Sequence, residues 1–314
     1  MTAPSAPKAL SGPSASSAPS AAPTRRRALT VTLATAAAVI AAPAGVAAAA
    51  PSATTRPPRR RPLRQAHAHN DYLHPRPLHD ALAHGFTSVE ADIFLVDGEL
   101  LVAHDLAETD PSRTLAGLYL EPLRALVRAG HGSVYPHHRQ PLQLLIDIKA
   151  DGVAAYRELD RQLARHRTLF TRYHHGRVRP GAVTAVISGD RAARVPMEAQ
   201  RTRLAFYDGR LDDLGTASPA SFTPLISANW TQSFSWLGAG PFPRAERDRL
   251  RTLVATAHRE GRRIRFWATP DLPGPEREAV WGELLAAGVD HLNTDDLAGL
   301  ERFLRARTGA APTP

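Results

Sequence analysis

Between Gln65 and Asp105 the chain places His67, His69, Asn70, Glu90, Asp92, His104 and Asp105 at the ends of short apolar runs. Imidazoles titrate near neutrality, so His69 and His104 are candidates to take and give a proton at working pH. In Val89-Glu90-Ala91-Asp92-Ile93 the acids stand two apart, and on a strand they share one face. Two carboxylates on one face repel unless a cation lies between them. Taken alone, the pattern equally fits a half-exposed strand with a solvated acidic face.

Asp147-Ile148-Lys149 repeats the spacing with one acid and one base. If Asp147 joins Glu90 and Asp92, three carboxylates converge, and Asn70 adds an amide oxygen as a fourth ligand. That oxygen set suits Mg²⁺ or Ca²⁺ better than Zn²⁺. Lys149 would then meet an oxygen of an anionic substrate, or would merely pair with Asp147. Asp105 is a candidate cap for the segment after it.

The elements that must position these groups alternate. Strand-like runs cover Arg64 to His69, Thr87 to Leu95, Leu142 to Lys149, Val183 to Ser188, Leu204 to Tyr207, Pro224 to Asn229, Ile264 to Ala268 and His291 to Thr294. Helix-like stretches fall at Leu78 to His84, Leu115 to Ala129, Val153 to Phe170, Arg191 to Gln200, Arg244 to Glu260, Pro275 to Ala287 and Leu297 to Arg307. Such alternation implies parallel strands with right-handed crossovers, and eight strands imply an α/β fold, a (β/α)₈ barrel of about 250 residues. Asp208 to Thr223 is the weak place, with no clear helix. The residues at strand C-termini, where such barrels carry their chemistry, are His69, Asn70, Glu90, Asp92, Asp147, Lys149, Ser188, Asp190, Asp208, Asn229, Trp230, Trp267 and Asp295.

The net charge of +9 invites a nucleic-acid reading until the charges are located. Residues 1–64 hold nine basic groups and no acids, so the remainder holds 30 of each sign and is neutral. A nucleic-acid partner is therefore not expected. There is no cysteine, which excludes disulfides and thiolate metal sites. Lysine occurs only at positions 8 and 149.

Arg25-Arg26-Arg27 before an alanine-rich apolar run from Ala28 to Ala50 reads as an export signal of twin-arginine type, cleaved after Ala48-Ala49-Ala50. A retained anchor is the alternative. The expected organisation is an export signal over 1–50, a basic Pro-rich linker over 51–64, one catalytic barrel over 65–309 and a disordered tail over 310–314. The product would be a secreted or cell-surface monomer. Phe234, Trp236, Leu237 and Phe242 form an apolar loop that could touch lipid transiently, cover the site, or pack internally.

His69-Asn70-Asp71-Tyr72-Leu73, Glu90-x-Asp92, Asp97-Gly98 followed by His104-Asp105, and Asp147-x-Lys149 together resemble the phosphatidylinositol-specific phospholipase C and glycerophosphodiester phosphodiesterase superfamily. The opening His67-Ala68-His69-Asn70-Asp71-Tyr72 looks most like its branch named for altered inheritance of mitochondria. The resemblance implies metal-dependent cleavage of a small-molecule or phospholipid-derived phosphodiester. His69 would be the general base or its partner and His104 the general acid. Glu90, Asp92, Asp147 and Asn70 would hold Mg²⁺ or Ca²⁺, Lys149 would meet the phosphate, and Trp267 would lie against the substrate. Related enzymes use a substrate hydroxyl as nucleophile and form a cyclic phosphate. Two features depart from the glycerol-type pattern: His69 is followed by Asn-Asp rather than Arg-Gly, and no Glu-Asn-Thr segment occurs. The arginine that would bind phosphate is missing from that position.

Two other readings use the same residues. His67-x-His69 could be the paired zinc ligand of an amidohydrolase-like barrel, which predicts further histidines at middle strand ends where none occur. Alternatively, a non-catalytic barrel would bind phosphorylated headgroups without turnover.

Overall fold

The computed structural model describes residues 60–308, so the expected export signal, most of the linker and the tail lie outside the described residues. Eight strands form the barrel: β1 (Leu63–Ala68), β2 (Phe86–Val96), β3 (Leu142–Ile148), β4 (Val183–Gly189), β5 (Ala205–Gly209), β6 (Leu225–Asn229), β7 (Arg263–Trp267) and β8 (His291–Thr294). Each pairs in parallel with the next, and β8 pairs with β1 to close the ring. This is the expected (β/α)₈ barrel. β1 begins at Leu63, so the barrel takes in two residues assigned by sequence to the linker.

Strand alternation sorts the side chains. Val89, Ala91, Ile93, Leu144, Ile146, Ile148, Ala185, Ile187, Ile264, Phe266 and Leu292 face outward into one continuous core with the surrounding helices. The helices are α1 (His79–Ala83), α2 (Glu121–Ala129), α3 (Gly152–Arg165), α4 (Arg194–Glu198), α5 (Arg244–Arg259), α6 (Pro275–Ala287) and α7 (Leu297–Thr308), with one further turn of α-helix, Trp230–Ser233, directly after β6. Inside the barrel a separate small cluster of Leu145, Val186 and Leu225 fills part of the middle layer. The other inward positions are polar, which is why each barrel strand reads as a mixture of apolar and chemical residues.

Sequence periodicity missed the smaller elements. Asp97 and Gly98 both take positive φ, 48° and 83°, in the two-residue turn that joins β2 to an antiparallel strand, Glu99–Val102. Such turns need left-handed backbone at both central positions, which Asp-Gly supplies. A three-stranded sheet of Arg172–His174, Arg177–Arg179 and Thr202–Arg203 lies in the connections into β4 and β5. Between β5 and β6 there is only a 3₁₀ turn, Leu211–Asp213, because Gly215, Ser218 and Pro219 follow it and none of them propagates a helix.

The β1–α1 connection turns on a buried acid. Asp71 accepts hydrogen bonds from Leu78 N (2.6 Å) and Tyr119 Oη (2.9 Å), holding Leu78 at a φ of 64°. Burial pushes the Asp71 carboxyl up from 3.8 to about 7, against the two hydrogen bonds that favour its charged form. An acid whose folded pKa is raised binds its proton more tightly when folded. Its contribution is therefore complete below pH 3.8 and is lost as the pH climbs to about 7. Asp71→Asn should flatten that part of the stability profile, measured as urea unfolding free energies across the window. An unchanged slope would show that Asp71 does not hold its proton.

Candidate active site

The acids sit on the inward face at the C-terminal mouth. In the β2–β3 register Asp92 lies directly opposite Asp147, with Glu90 one inward step below Asp92. One carboxylate oxygen from each of Glu90, Asp92 and Asp147 lies within 4.8 Å of the other two. Three acids at that spacing raise one another's proton affinity. Burial and then the Glu90 charge push Asp92 up, while burial, with Glu90 and Asp92 adding to it, pushes Asp147 up to about 6 despite Lys149. Lys149 Nζ is the local countercharge, 2.7 Å from Asp92 Oδ2 and 3.6 Å from Asp147 Oδ1. Burial opposes its charge, but Asp147 and Asp92 hold the ammonium above its ordinary range.

One feature of this cluster asks for a further cation: Asp92 Oδ1 is buried without any partner. An all-oxygen set with an orphaned carboxylate oxygen fits a hard divalent ion. Gly189 lets β4 end against the cluster, since a Cβ there, at a φ of 80°, would lie 2.4 Å from Asp147 Oδ1.

Residues 69–72 place the other groups. Asn70 adopts left-handed backbone, φ 45°, which asparagine tolerates better than most residues. The Tyr72 hydroxyl bridges Asp92 Oδ2 (2.7 Å) and Asn70 Oδ1 (3.0 Å), which ties the amide oxygen to the acids. Burial, together with the Asp92 charge, keeps the Tyr72 proton in place. His69 Nδ1 meets Asp295 Oδ1 at 2.8 Å. Burial would lower the His69 pKa, but the Asp295 hydrogen bond and the charges of Glu90 and Asp295 raise it. Tyr72 was not expected as a site residue, although it stands inside the motif and its ring identity was the available signal.

His104 is at the same mouth but stands apart. Ala103 N donates to Asp92 O at 3.3 Å, so the hairpin returns the chain to the end of the acidic strand. The His104 side chain is 55% exposed, and among the described residues its one hydrogen-bond partner is Asp105, at 3.4 Å. Asp105 therefore faces His104 and makes no side-chain cap on the turn it precedes. Trp267 ends β7 on the inward face with its indole partly exposed.

Below the acids, His67 is fully buried. Its Nδ1 meets Ser88 Oγ (2.7 Å), while its Nε2 lies 2.9 Å from Glu90 Oε2 and 2.5 Å from Arg265 Nη1. Burial and then Arg265 lower its pKa to about 4. An imidazole with both nitrogens engaged, one beside a guanidinium, has no position for a metal ion, so His67-x-His69 does not form a zinc pair. Among the described residues the only metal-competent cluster is the carboxylate trio.

An arginine does enter the site, from β7 instead of from the histidine motif. Arg265 Nη1 donates to Glu90 Oε2 (2.6 Å) and Asn293 Oδ1 (3.1 Å), and Nε donates to Ser227 Oγ (2.9 Å). Burial alone would raise Glu90, but Arg265 and the His67 hydrogen bond hold it well below the carboxylate range. Arg265→Met should cost about 3–5 kcal/mol in chelator-treated protein by stranding a buried charge. A loss under about 1 kcal/mol by urea unfolding would show that His67 suffices for Glu90.

The remaining rim residues divide. Asp208 is buried, accepts from Ser188 Oγ (2.7 Å) and pairs with Arg210 Nη1 (2.9 Å), a rim guanidinium one residue past β5 that strand patterning did not single out. Asp190 accepts from Gly152 N and Ala192 N, and Asn229 accepts from Thr231 N, so both are helix caps. Trp230 is core and donates to Trp236 O. Phe234, Trp236 and Phe242 pack with Trp230 and Phe266 instead of forming a lipid-facing loop, and only Leu237 of that group is exposed. No helix among the described residues is long and apolar enough to cross a membrane.

Comparison with known proteins gives the same family. Residues 61–208 match the model of the AIM6-like phosphodiesterase domain, and residues 263–298 match that of the glycerophosphoryl diester phosphodiesterase family. Altered inheritance of mitochondria protein 6 from Eremothecium gossypii is 30% identical over 77% of this chain and 69% of its own length. A homolog from Arthroderma benhamiae is 29% identical over 74% of this chain and 81% of its own. A solved structure from Agrobacterium tumefaciens, described as a glycerophosphoryl diester phosphodiesterase, overlaps 71% of this chain and 87% of its own at 16% identity and a TM-score of 0.36. The barrel itself stands on its strand pairing. Through its fungal relatives and the matched domain, the chain belongs to the AIM6-like phosphodiesterase family, the altered-inheritance-of-mitochondria branch of the glycerophosphodiester phosphodiesterase superfamily.

Proposed function

We propose that this barrel is a metal-dependent phosphodiesterase acting on a small or phospholipid-derived phosphodiester. The observation that carries the reading is the convergence of Glu90, Asp92 and Asp147, with Asp92 Oδ1 unsatisfied, beside Lys149 and the His69–Asp295 pair. Glu90, Asp92 and Asp147, with Asn70, would hold Mg²⁺ or Ca²⁺, which when bound supplies positive charge to the phosphoryl oxygens. Lys149 adds its ammonium to one non-bridging oxygen. Asp295 accepts the Nδ1–H of His69, leaving Nε2 to take the proton of a substrate hydroxyl as its oxygen bonds to phosphorus. The bond to the leaving oxygen breaks, that oxygen takes a proton from His104, and a cyclic phosphate results. Arg210 is a second guanidinium at the rim for an anionic substrate.

Contact with a lipid surface belongs to this reading too, carried by other residues than the Phe234–Phe242 loop. Leu73, Leu106, Trp267 and Leu272 are exposed, and all stand at or just beyond strand C-termini, around the same mouth. Export rests on Arg25-Arg26-Arg27 and the apolar run behind them. The test is a panel of phosphodiesters offered with Mg²⁺ and with Ca²⁺, products followed by phosphorus NMR. Turnover with one ion, abolished by chelation, is expected. Binding without turnover across the panel would leave a headgroup-binding barrel instead.

A further inference from the structure

The opposite mouth of the barrel is also built from inward-facing polar residues. A cavity of about 540 Å³ opens there, at the N-terminal ends of the strands, lined among others by Arg64, Gln65, Gln143, Arg263, Asp290 and His291. Its charges do not balance. Among the described residues neither Arg64 nor Arg263 has a carboxylate within ion-pair distance; the lining's one acid, Asp290, favours the Arg263 charge from farther off and accepts from Ile264 N and His258 Nε2 through Oδ2, both at 2.9 Å.

Two buried polar side chains in the lining are also incomplete. Arg263 Nη1 lies 3.1 Å from His291 Nε2, and because a guanidinium only donates, Nε2 must be the acceptor. The neutral ring then carries its proton on Nδ1, which is buried with no partner. Gln143, 1% exposed, gives Nε2 to Ser88 Oγ (2.8 Å), and its carbonyl Oε1, an acceptor, has no partner. A buried donor without an acceptor is costly, and a guanidinium this enclosed is ordinarily paired. A purely structural layer would have placed an acid here.

We propose that the N-terminal mouth is a second ligand site, one that binds a phosphate group. Two guanidiniums, the Nδ1–H of His291 and the amide N–H groups of Gln65 offer more donors than the two oxygens of a carboxylate can use, whereas a phosphate has enough acceptors for all of them. The cavity volume lies in the range of small-molecule sites, so the phosphate can be free or esterified. The site is on the far side of the barrel from the acids and does not depend on the catalytic reading.

The test is calorimetric titration of chelator-treated protein with inorganic phosphate, ribose 5-phosphate and succinate in separate arms. Phosphate is expected to bind wild type and Lys149→Gln alike, and about tenfold or more weakly to Arg263→Gln and to Arg64→Gln. The exposed Arg64 variant keeps the test decisive if the buried one fails to fold. Tighter binding of ribose 5-phosphate than of phosphate assigns the site to an ester, and equal binding assigns it to the free anion. No heat with either up to about 10 mM, affinity unchanged in both arginine variants, loss in Lys149→Gln, or tighter binding of succinate would each overturn the proposal.

Discussion

Asp92→Asn is expected to lower phosphodiester turnover by about a thousandfold while leaving the chelator-treated protein at least as stable as wild type. Asp92 is paired across the β2–β3 register with Asp147, and burial and the Glu90 charge hold its pKa up. In the absence of a divalent ion its charge is a strain on the fold, so an uncharged isostere relieves repulsion. Tyr72 keeps an acceptor, since an amide oxygen can replace Asp92 Oδ2. Lys149 keeps Asp147. What the variant loses is one of three anionic ligands. Mg²⁺ or Ca²⁺ is expected to raise the melting temperature of wild type, and in the variant that rise should shrink or vanish together with turnover. Turnover within tenfold of wild type, with the metal-induced shift intact, would remove Asp92 from the metal site.

How much of this could be read from the chain differs by layer. All eight barrel strands were legible because their outward faces are mostly apolar against the helices, as at Val89-x-Ala91-x-Ile93 and Leu144-x-Ile146-x-Ile148. The acidic trio was legible for the complementary reason: period-two spacing puts Glu90 and Asp92 inward on one strand, and a strand-end position puts Asp147 inward on the next. Long-range pairing was not legible. Nothing local tells that Arg265, on the seventh barrel strand, neutralises Glu90 on the second, or that Asp295 sits against His69 from the opposite end of the sequence. The apolar loop from Phe234 to Phe242 was ambiguous because exposed and buried aromatics look the same in a sequence. Only the stack of Trp236 on Phe242, beside Trp230, decides it.

The two histidines proposed as proton carriers should separate by more than the size of their effects. His69→Gln is expected to cost about a hundred- to ten-thousandfold in turnover, the range for losing a positioned proton carrier. His104→Ala should fall in the same range with no change in melting temperature, because its half-exposed ring has no hydrogen-bond partner among the described residues beyond Asp105. The distinguishing readout is the pH profile. Burial works against a charged His69, and the Asp295 hydrogen bond, with the charges of Glu90 and Asp295, raises its pKa, so the base is fully neutral only at higher pH. Turnover that requires neutral His69 climbs as the pH passes upward through that pKa. Asp295→Asn weakens the raising interactions, moving the acid limb to lower pH while the plateau drops, as a poorer base is also less well aimed. The limb should stay in place in His104→Ala, whatever activity remains. An Asp295→Asn profile with a lower plateau and an unmoved acid limb would mean that the rising limb belongs to another group, with Asp147, held up to about 6, the next to be examined.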